Sequence, residues 1–177
     1  RQLNDAAVAA GLDVKVLPGV EELLGGVTVA NVRNIEPADL LGRHQIETDL
    51  DSIAHYLRDK TVLVTGAGGS IGSELCRQIR RFGPTQLVML DRDESALHSL
   101  ALSLDGRADL ESPDMVLADI RDRDLLVEVM ANYRPDVVFH AAALKHVNML
   151  EQQPAEAFKT NVIGTNNVLD AAVAANV

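Results

Sequence analysis

The run Thr61-Val62-Leu63-Val64-Thr65-Gly66-Ala67-Gly68-Gly69-Ser70-Ile71-Gly72-Ser73-Glu74-Leu75 constrains the fold more than any other part of the chain. Five strand-forming residues lead into a glycine-rich turn, and the turn leads into a stretch with helical apolar spacing. Gly66, Gly69 and Gly72 fall three apart. In such a turn the first glycine takes a positive φ, the second lets phosphate oxygens approach the backbone, and the third lets helix pack against strand. The helix N-terminus then presents free N–H groups to an anion, so the whole unit is a seat for a pyrophosphate. A second strand, Gln86 to Leu90, follows the helix and ends in Asp91, 25 residues after Gly66. That is close to the offset of roughly 20 residues at which an acid meets adenosine ribose hydroxyls.

Downstream of residue 61, strand-like and helix-like segments alternate at short spacing. This is the pattern of an α/β fold, a parallel sheet with helices on both faces. The expected strands are Thr61 to Thr65, Gln86 to Leu90, Met115 to Leu117 and Asp136 to His140. Amphipathic spacing predicts helices over Ser70 to Phe82, Asp93 to Leu104 and Asp122 to Tyr133, with stops at Gly83-Pro84 and Arg134-Pro135. An alanine-rich helical stretch from about Pro154 to Asn176 ends the chain without a following strand. The expectation is therefore a piece of a larger enzyme whose sheet is unfinished, with an open edge that invites a homo-oligomer. Residues 1 to 60 read as the tail of another domain and a connector, with a helix-like end at Leu3 to Ala10, a short strand at Val14 to Leu17, and a helix from an Asp49 cap to Arg58.

Composition narrows the function classes. Among the 177 residues, 47% are apolar and 24% charged, as in ordinary globular domains. A net charge of −10 argues against a nonspecific nucleic-acid surface, and the basic stretch Arg77 to Arg81 reads as the solvated face of the first helix. No apolar run approaches the roughly 20 residues of a membrane span. A single cysteine, Cys76, excludes an internal disulfide, suits a cytoplasmic location and reads as a packing residue. Five histidines, at 44, 55, 98, 140 and 146, show no metal-ligand spacing, so no metal site is expected.

Other candidate positions lie at the strand ends, where open parallel sheets bind ligands. Asp91 is followed by Arg92. The carboxylate favours NAD by holding both ribose hydroxyls, whereas the guanidinium suits the 2′-phosphate of NADP, and the pair leaves the choice open. Asp119-Ile120 follows the third strand, where adenine stacks, although an acid capping the next helix accounts for Asp119 as well. The fourth strand ends in His140-Ala141-Ala142-Ala143, small side chains against which a nicotinamide half could lie, or against which a helix could pack. Lys145 and His146 follow at the same edge, as ligand contacts or as solvated charges.

Two further motifs compete for attention. Gly68-Gly69-Ser70-Ile71-Gly72 fits the GxSxG elbow of a serine hydrolase, but it opens the strand alternation instead of following several strands. Tyr56-Leu57-Arg58-Asp59-Lys60 fits YxxxK, a general acid or base pair, but it precedes the first strand. Both read as chance.

Taken together, three blocks resemble the extended short-chain dehydrogenase/reductase family, and within it the CapD-like UDP-N-acetylglucosamine 4,6-dehydratase group of bacterial polysaccharide biosynthesis. They are Thr65 to Cys76, His140-Ala141-Ala142-Ala143-Leu144-Lys145-His146-Val147, and Lys159-Thr160-Asn161-Val162-Ile163-Gly164-Thr165. The resemblance covers residues 61 to 177 and implies a Rossmann-like NAD(P)-binding domain, truncated before its catalytic half. It implies cofactor contacts at Gly66, Gly69, Ser70, Ile71 and Gly72, at Asp91, Arg92, Asp119 and Ile120, and at Ala141, Ala142, Ala143, Lys145 and Thr160. Lys145, His146 and Asn161 are implied to border the substrate, a UDP-linked sugar.

The resemblance further implies that the catalytic segments lie beyond Val177, so no catalytic residue is expected within this chain. Residues 18 to 60, with Pro18 and Asn34 to Arg43, are similar to the connector of long members anchored in the membrane by N-terminal helices. The implied parent reaction oxidises C4 of the sugar, eliminates water across C5 and C6, and returns hydride to C6. A sugar-nucleotide 4-epimerase and a non-catalytic dinucleotide-sensing module are the alternatives.

Overall fold

The computed structural model describes residues 10–11, 15–16, 33–34, 50–106 and 112–177. The chain divides into two units, residues 1–48 and 49–177. In the first, β1 (Lys15–Val16) pairs antiparallel with β2 (Arg33–Asn34). The Asp49 cap, and the helix expected over Leu3 to Ala10 apart from Ala10 itself, lie outside the described residues. No helix among the described residues is long and apolar enough to cross a membrane.

The second unit begins with α1 (Leu50–Leu57) and continues through β3 (Thr61–Thr65), α2 (Ser70–Arg81), β4 (Gln86–Asp91) and α3 (Glu94–Asp105). It then runs through β5 (Met115–Leu117), α4 (Arg123–Tyr133), β6 (Val137–His140), α5 (Val147–Gln152) and α6 (Pro154–Phe158). The last helix starts with a wider π-type turn at Lys159–Gly164 and continues as α7 (Thr165–Ala174). All four strands from β3 to β6 are parallel, in the order β5-β4-β3-β6. The expected strands are present, with Asp91 joining β4 and Asp136 standing just before β6.

Strand alternation divides the core between the two faces of the sheet. Val62, Val64, Leu87 and Met89 point to one face and meet Cys76 and Ile79 of α2, Leu97 and Leu100 of α3, and Leu57 of α1. Leu63, Val88 and Leu90 point to the other and meet Leu126, Val129 and Met130 of α4, with Val168 and Ala171 of α7. The near-continuous apolar strands are thus explained, since both faces are covered. Cys76 is a packing residue, and burial pushes its thiol up to about 12.

Chain ends of the helices follow from local chemistry. Asp93 accepts from Ala96 N at 3.0 Å and Asp122 accepts from Leu125 N at 3.1 Å, so both acids stand outside their helices as N-caps. Gly106 and Arg134 take left-handed conformations at the C-caps of α3 and α4. The Asp136 carboxylate accepts from Thr61 N at 2.8 Å and from Lys60 Nζ at 3.2 Å, tying the start of β3 to β6. The wide turn at Lys159–Gly164 ends in a close contact: a Cβ on Gly164 would lie 2.6 Å from Ile120 Cδ1.

Leu63 is fully buried in the central strand. Leu63→Ala should lower the unfolding free energy by about 2–5 kcal/mol in a urea titration, with the slope unchanged.

Candidate functional site

At the carboxyl ends of β3 and β6 the chain leaves the sheet toward opposite faces, which opens a crevice. Three backbone hydrogen bonds hold its rim: Ala67 N to Leu90 O at 3.1 Å, Ala118 N to Asp91 O at 3.0 Å, and Ala141 N to Thr65 O at 3.0 Å. Gly66 has φ +68°, and a Cβ there would fall 2.5 Å from Ala142 N. A Cβ on Gly72 would fall 2.0 Å from Gly66 O, so α2 starts against the turn itself. Gly69, by contrast, meets only one neighbour, Gly66 O at 3.2 Å. The N-terminus of α2 carries no side-chain cap and no acid in its first turn. Lys145 reaches it, donating to Ser70 Oγ at 3.2 Å.

Leucine and alanine walls continue the crevice into a small cleft. Gly66, Leu90, Asp91, Arg92, Ala118, Asp119, Ile120, Ala142, Ala143, Leu144 and Thr160 line it. Of the sequence-predicted positions, Gly69, Ser70, Ile71, Gly72, Ala141, Lys145, His146 and Asn161 therefore lie outside the lining itself. Asp91 is fixed at the rim, accepting from Gly68 N at 2.9 Å and from Asp93 N at 3.0 Å. Asp119 does not cap α4, a role that Asp122 fills. Its carboxylate instead accepts from Arg121 N at 3.0 Å and from Arg121 Nη2 at 2.6 Å, with Arg92 Nη1 at 3.7 Å. Burial opposes its ionisation, but hydrogen bonds from Arg121 and the charges of Arg121 and Arg92 outweigh it and hold the carboxyl below the usual range. Arg121 also donates to Glu156 at 2.9 Å, and Glu156 accepts from Lys159 at 2.9 Å.

The last helix supplies the remaining wall. Thr160 is 6% exposed, and its Oγ1 is buried without a hydrogen-bond partner among the described residues. Asn161 turns away from the cleft: its amide accepts from Leu144 N at 2.8 Å and donates to Leu144 O at 2.8 Å. Both polar ends of that side chain are thereby satisfied by the β6–α5 loop. His146 is exposed and stands at the N-cap of α5 without a side-chain capping bond.

Several residues that the sequence reading did not single out support the site. Asn167, buried in α7, donates to Ile120 O at 3.1 Å and to Arg121 O at 3.2 Å, fixing the loop after β5. Thr65, His140 and Thr165 form a proton-ordered chain. Thr165 Oγ1 donates to Asn161 O at 2.9 Å and so accepts from His140 Nε2 at 3.0 Å. The other ring nitrogen then accepts from Thr65 Oγ1 at 2.6 Å. Polar residues interrupting an apolar strand end and an alanine-rich helix were the available signal for all of them.

The two competing motifs find no support in the geometry. Among the described residues Ser70 meets Lys145 and no histidine, while Lys60 pairs with Asp136 rather than with Tyr56. Among the described residues no cluster of His, Cys, Asp and Glu could hold a metal ion.

The strand order, the glycine turn and the crevice define a Rossmann-like domain of the short-chain dehydrogenase/reductase type. Residues 62–177 match the family described as polysaccharide biosynthesis protein, and the chain belongs to that family. It is 45% identical over 172 residues to the probable polysaccharide biosynthesis protein EpsC of Bacillus subtilis, covering 96% of this chain and 29% of that protein. Capsular polysaccharide biosynthesis protein CapD of Staphylococcus aureus is 39% identical over 175 residues, covering 97% and 29%. A UDP-N-acetylglucosamine 4,6-dehydratase (inverting) of Campylobacter jejuni is 34% identical over 115 residues, covering 63% and 32%. Among solved structures, a UDP-glucose 4-epimerase from Stenotrophomonas with bound NAD and formylated UDP-arabinopyranose matches with TM-score 0.58 and 34% identity, covering 67% of this chain and 34% of that one. The chain spans about a third of the length of these relatives.

Desolvation lowers the pKa of His140 below its ordinary value, so the folded state binds fewer protons than the unfolded one. Its contribution to stability is complete above about pH 6.5 and is lost as pH falls toward the lower folded-state value. The urea midpoint should therefore drop between about pH 7.5 and 5.5, above the range where carboxylates titrate, and drop less in His140→Gln. Equal drops in both proteins would remove His140 as the source.

Proposed function

We propose that this chain is the dinucleotide-holding part of a nucleotide-sugar 4,6-dehydratase of polysaccharide biosynthesis, acting on a UDP-N-acetylglucosamine-like substrate. One observation carries the dinucleotide reading: the N-terminus of α2 has no side-chain cap and no acid in its first turn, and the Lys145 ammonium donates to Ser70 Oγ there. A helix N-terminus carries roughly half a positive charge, and the Lys145 ammonium adds to it, so the site calls for an anion. The pyrophosphate of NAD or NADP meets that need, with Gly66, Gly69, Ser70, Ile71 and Gly72 around it.

The remaining residues are assigned along the cleft. Asp91 faces the ribose, Arg92, Asp119 and Ile120 border the adenine, and Ala141, Ala142 and Ala143 give the nicotinamide half a flat wall. Thr160 fits the same ligand, because it lines the cleft and its buried hydroxyl has no partner among the described residues. His146, with Lys145 at the open edge, lies on the sugar side, and Asn161 shapes that edge by fixing Leu144. The bound dinucleotide would take up a hydride from the sugar and give it back. In this reading the chain's own residues bind and orient, while the proton-transferring groups belong to the rest of the protein. The whole protein would work at the inner face of the membrane as a homo-oligomer.

A second reading, a 4-epimerase, draws on relatives named UDP-glucose 4-epimerase at 34–35% identity. The two are separated by the product of the whole protein with UDP-N-acetylglucosamine: a 4-keto-6-deoxy sugar for the dehydratase, a C4 epimer for the alternative.

Two expectations test the dinucleotide seat. Titration calorimetry with NAD+ and NADP+ should detect binding of at least one, and Asp91→Ala should abolish or strongly weaken it; unchanged binding in the variant would remove Asp91 from the site. Thr160→Val should leave the ligand-free protein as stable as its parent or more so, because it removes an unpartnered buried hydroxyl. The same substitution should weaken dinucleotide binding by about three- to tenfold, the scale of one hydrogen bond.

A further inference from the structure

Resting on the dinucleotide reading above, we infer that Asp119 sets the preference between NAD and NADP by holding the Arg92 guanidinium away from the ribose 2′ position. The two residues come from different strand ends, Arg92 following β4 and Asp119 following β5, and both line the same cleft as Asp91. Arg92 Nη1 lies 3.7 Å from Asp119 Oδ2, while its side chain remains 46% exposed. Arg92 is thus a half-exposed, permanently charged fork next in sequence to the ribose-facing acid, which is the residue type that recognises a 2′-phosphate.

Three features make Asp119 a holder and not a bystander. Its carboxylate is fixed by the loop it sits on, through Arg121 N at 3.0 Å and Arg121 Nε at 2.9 Å, so it cannot follow Arg92 outward. It stays ionised, since the surrounding guanidinium groups keep its carboxyl below the ordinary range despite burial. Its Arg121 partner is itself anchored on Glu156. The consequence is a fixed anion beside Arg92, in a cleft that also holds the Asp91 carboxylate tied to Gly68 N and Asp93 N. A 2′-phosphate entering this cleft would meet two carboxylates and an arginine already engaged, whereas a free 2′-hydroxyl meets an acceptor in Asp91. Asp119 is a positioning residue acting through Arg92.

The test is a double-mutant cycle read by titration calorimetry with NAD+ and NADP+, on the parent chain, Asp119→Asn, Arg92→Ala and the double variant. Asparagine keeps an acceptor for Arg121 N, removes the charge and puts a donor where Arg121 Nη2 now finds an acceptor. The parent should bind NAD+ more tightly. Asp119→Asn should raise NADP+ affinity relative to NAD+ by about three- to fivefold, the scale of one exposed ion pair, and the double variant should lose that gain. An unmoved ratio in Asp119→Asn, or a gain that persists without Arg92, would overturn the inference while leaving the dinucleotide seat intact. Arg92→Ala alone, at a residue that lines the cleft, should lower NAD+ and NADP+ affinity alike and leave their ratio within about twofold; a selective loss of NADP+ affinity of about tenfold would show Arg92 already free for the phosphate and overturn the inference by itself. Absence of binding by either nucleotide in a folded parent would overturn the reading beneath it, and the inference with it.

Discussion

The contact of Gly66 with the loop after β6 is the constraint on which the rest of this molecule depends. A backbone that passes within 2.5 Å of where a side chain would start leaves room for no residue but glycine, and the positive φ there gives the same answer independently. Because the turn is pressed against Ala141 and Ala142, the carboxyl ends of β3 and β6 are locked in one register, Thr65 beside His140. Because α2 in turn starts against the Gly66 carbonyl, its N-terminus has a single direction to point. Position of the α2 N-terminus, spacing of the crevice and entry of the helix all descend from one missing Cβ.

Around that contact the molecule uses side chains as substitutes for backbone. Asn161 engages both the N–H and the carbonyl of Leu144, as a neighbouring strand would. Asn167 gathers the carbonyls of Ile120 and Arg121, and Asp91 takes the N–H groups of Gly68 and Asp93. Loops at the ligand edge of a parallel sheet have no ladder to satisfy their peptide groups, and an unsatisfied buried group costs about 1–3 kcal/mol. Short amides and carboxylates meet that demand while leaving the loops without regular structure, which a ligand-shaped surface requires.

Much of this was legible before any coordinates. The strand, turn and helix around Gly66, the four parallel strands and the helices on both faces follow from period and punctuation, because strands buried on both faces read as apolar runs. The candidate positions at strand ends follow from the same logic, and Gly66, Asp91, Arg92, Asp119, Ile120, Ala142, Ala143 and Thr160 converge on one cleft. What the sequence did not disclose depends on pairings across long separations. Nothing local to Asp119 announces Arg92, which follows a different strand, as a partner in preference to the N–H groups of α4. Asn161 reads as a site residue by its neighbours in sequence, yet its amide is directed at Leu144, a choice made by the path of a loop 17 residues earlier. His140 reads as a strand terminus until Thr65 and Thr165 are brought to its two nitrogens.

The wide turn at Lys159–Gly164 sets the phase of the helix that follows it. Each residue of a regular helix advances about 100° around the axis, so one residue accommodated in a wider turn displaces everything beyond it by that angle. Thr160 and Asn161 lie on one side of this dislocation, Thr165 and Asn167 on the other, yet all four face the carboxyl edge of the sheet. The helix therefore behaves like a key cut in two halves and rejoined with an offset. Losing one residue within it would smooth the winding and turn Thr165 and Asn167 away from the loops they hold, although every side chain would still be present.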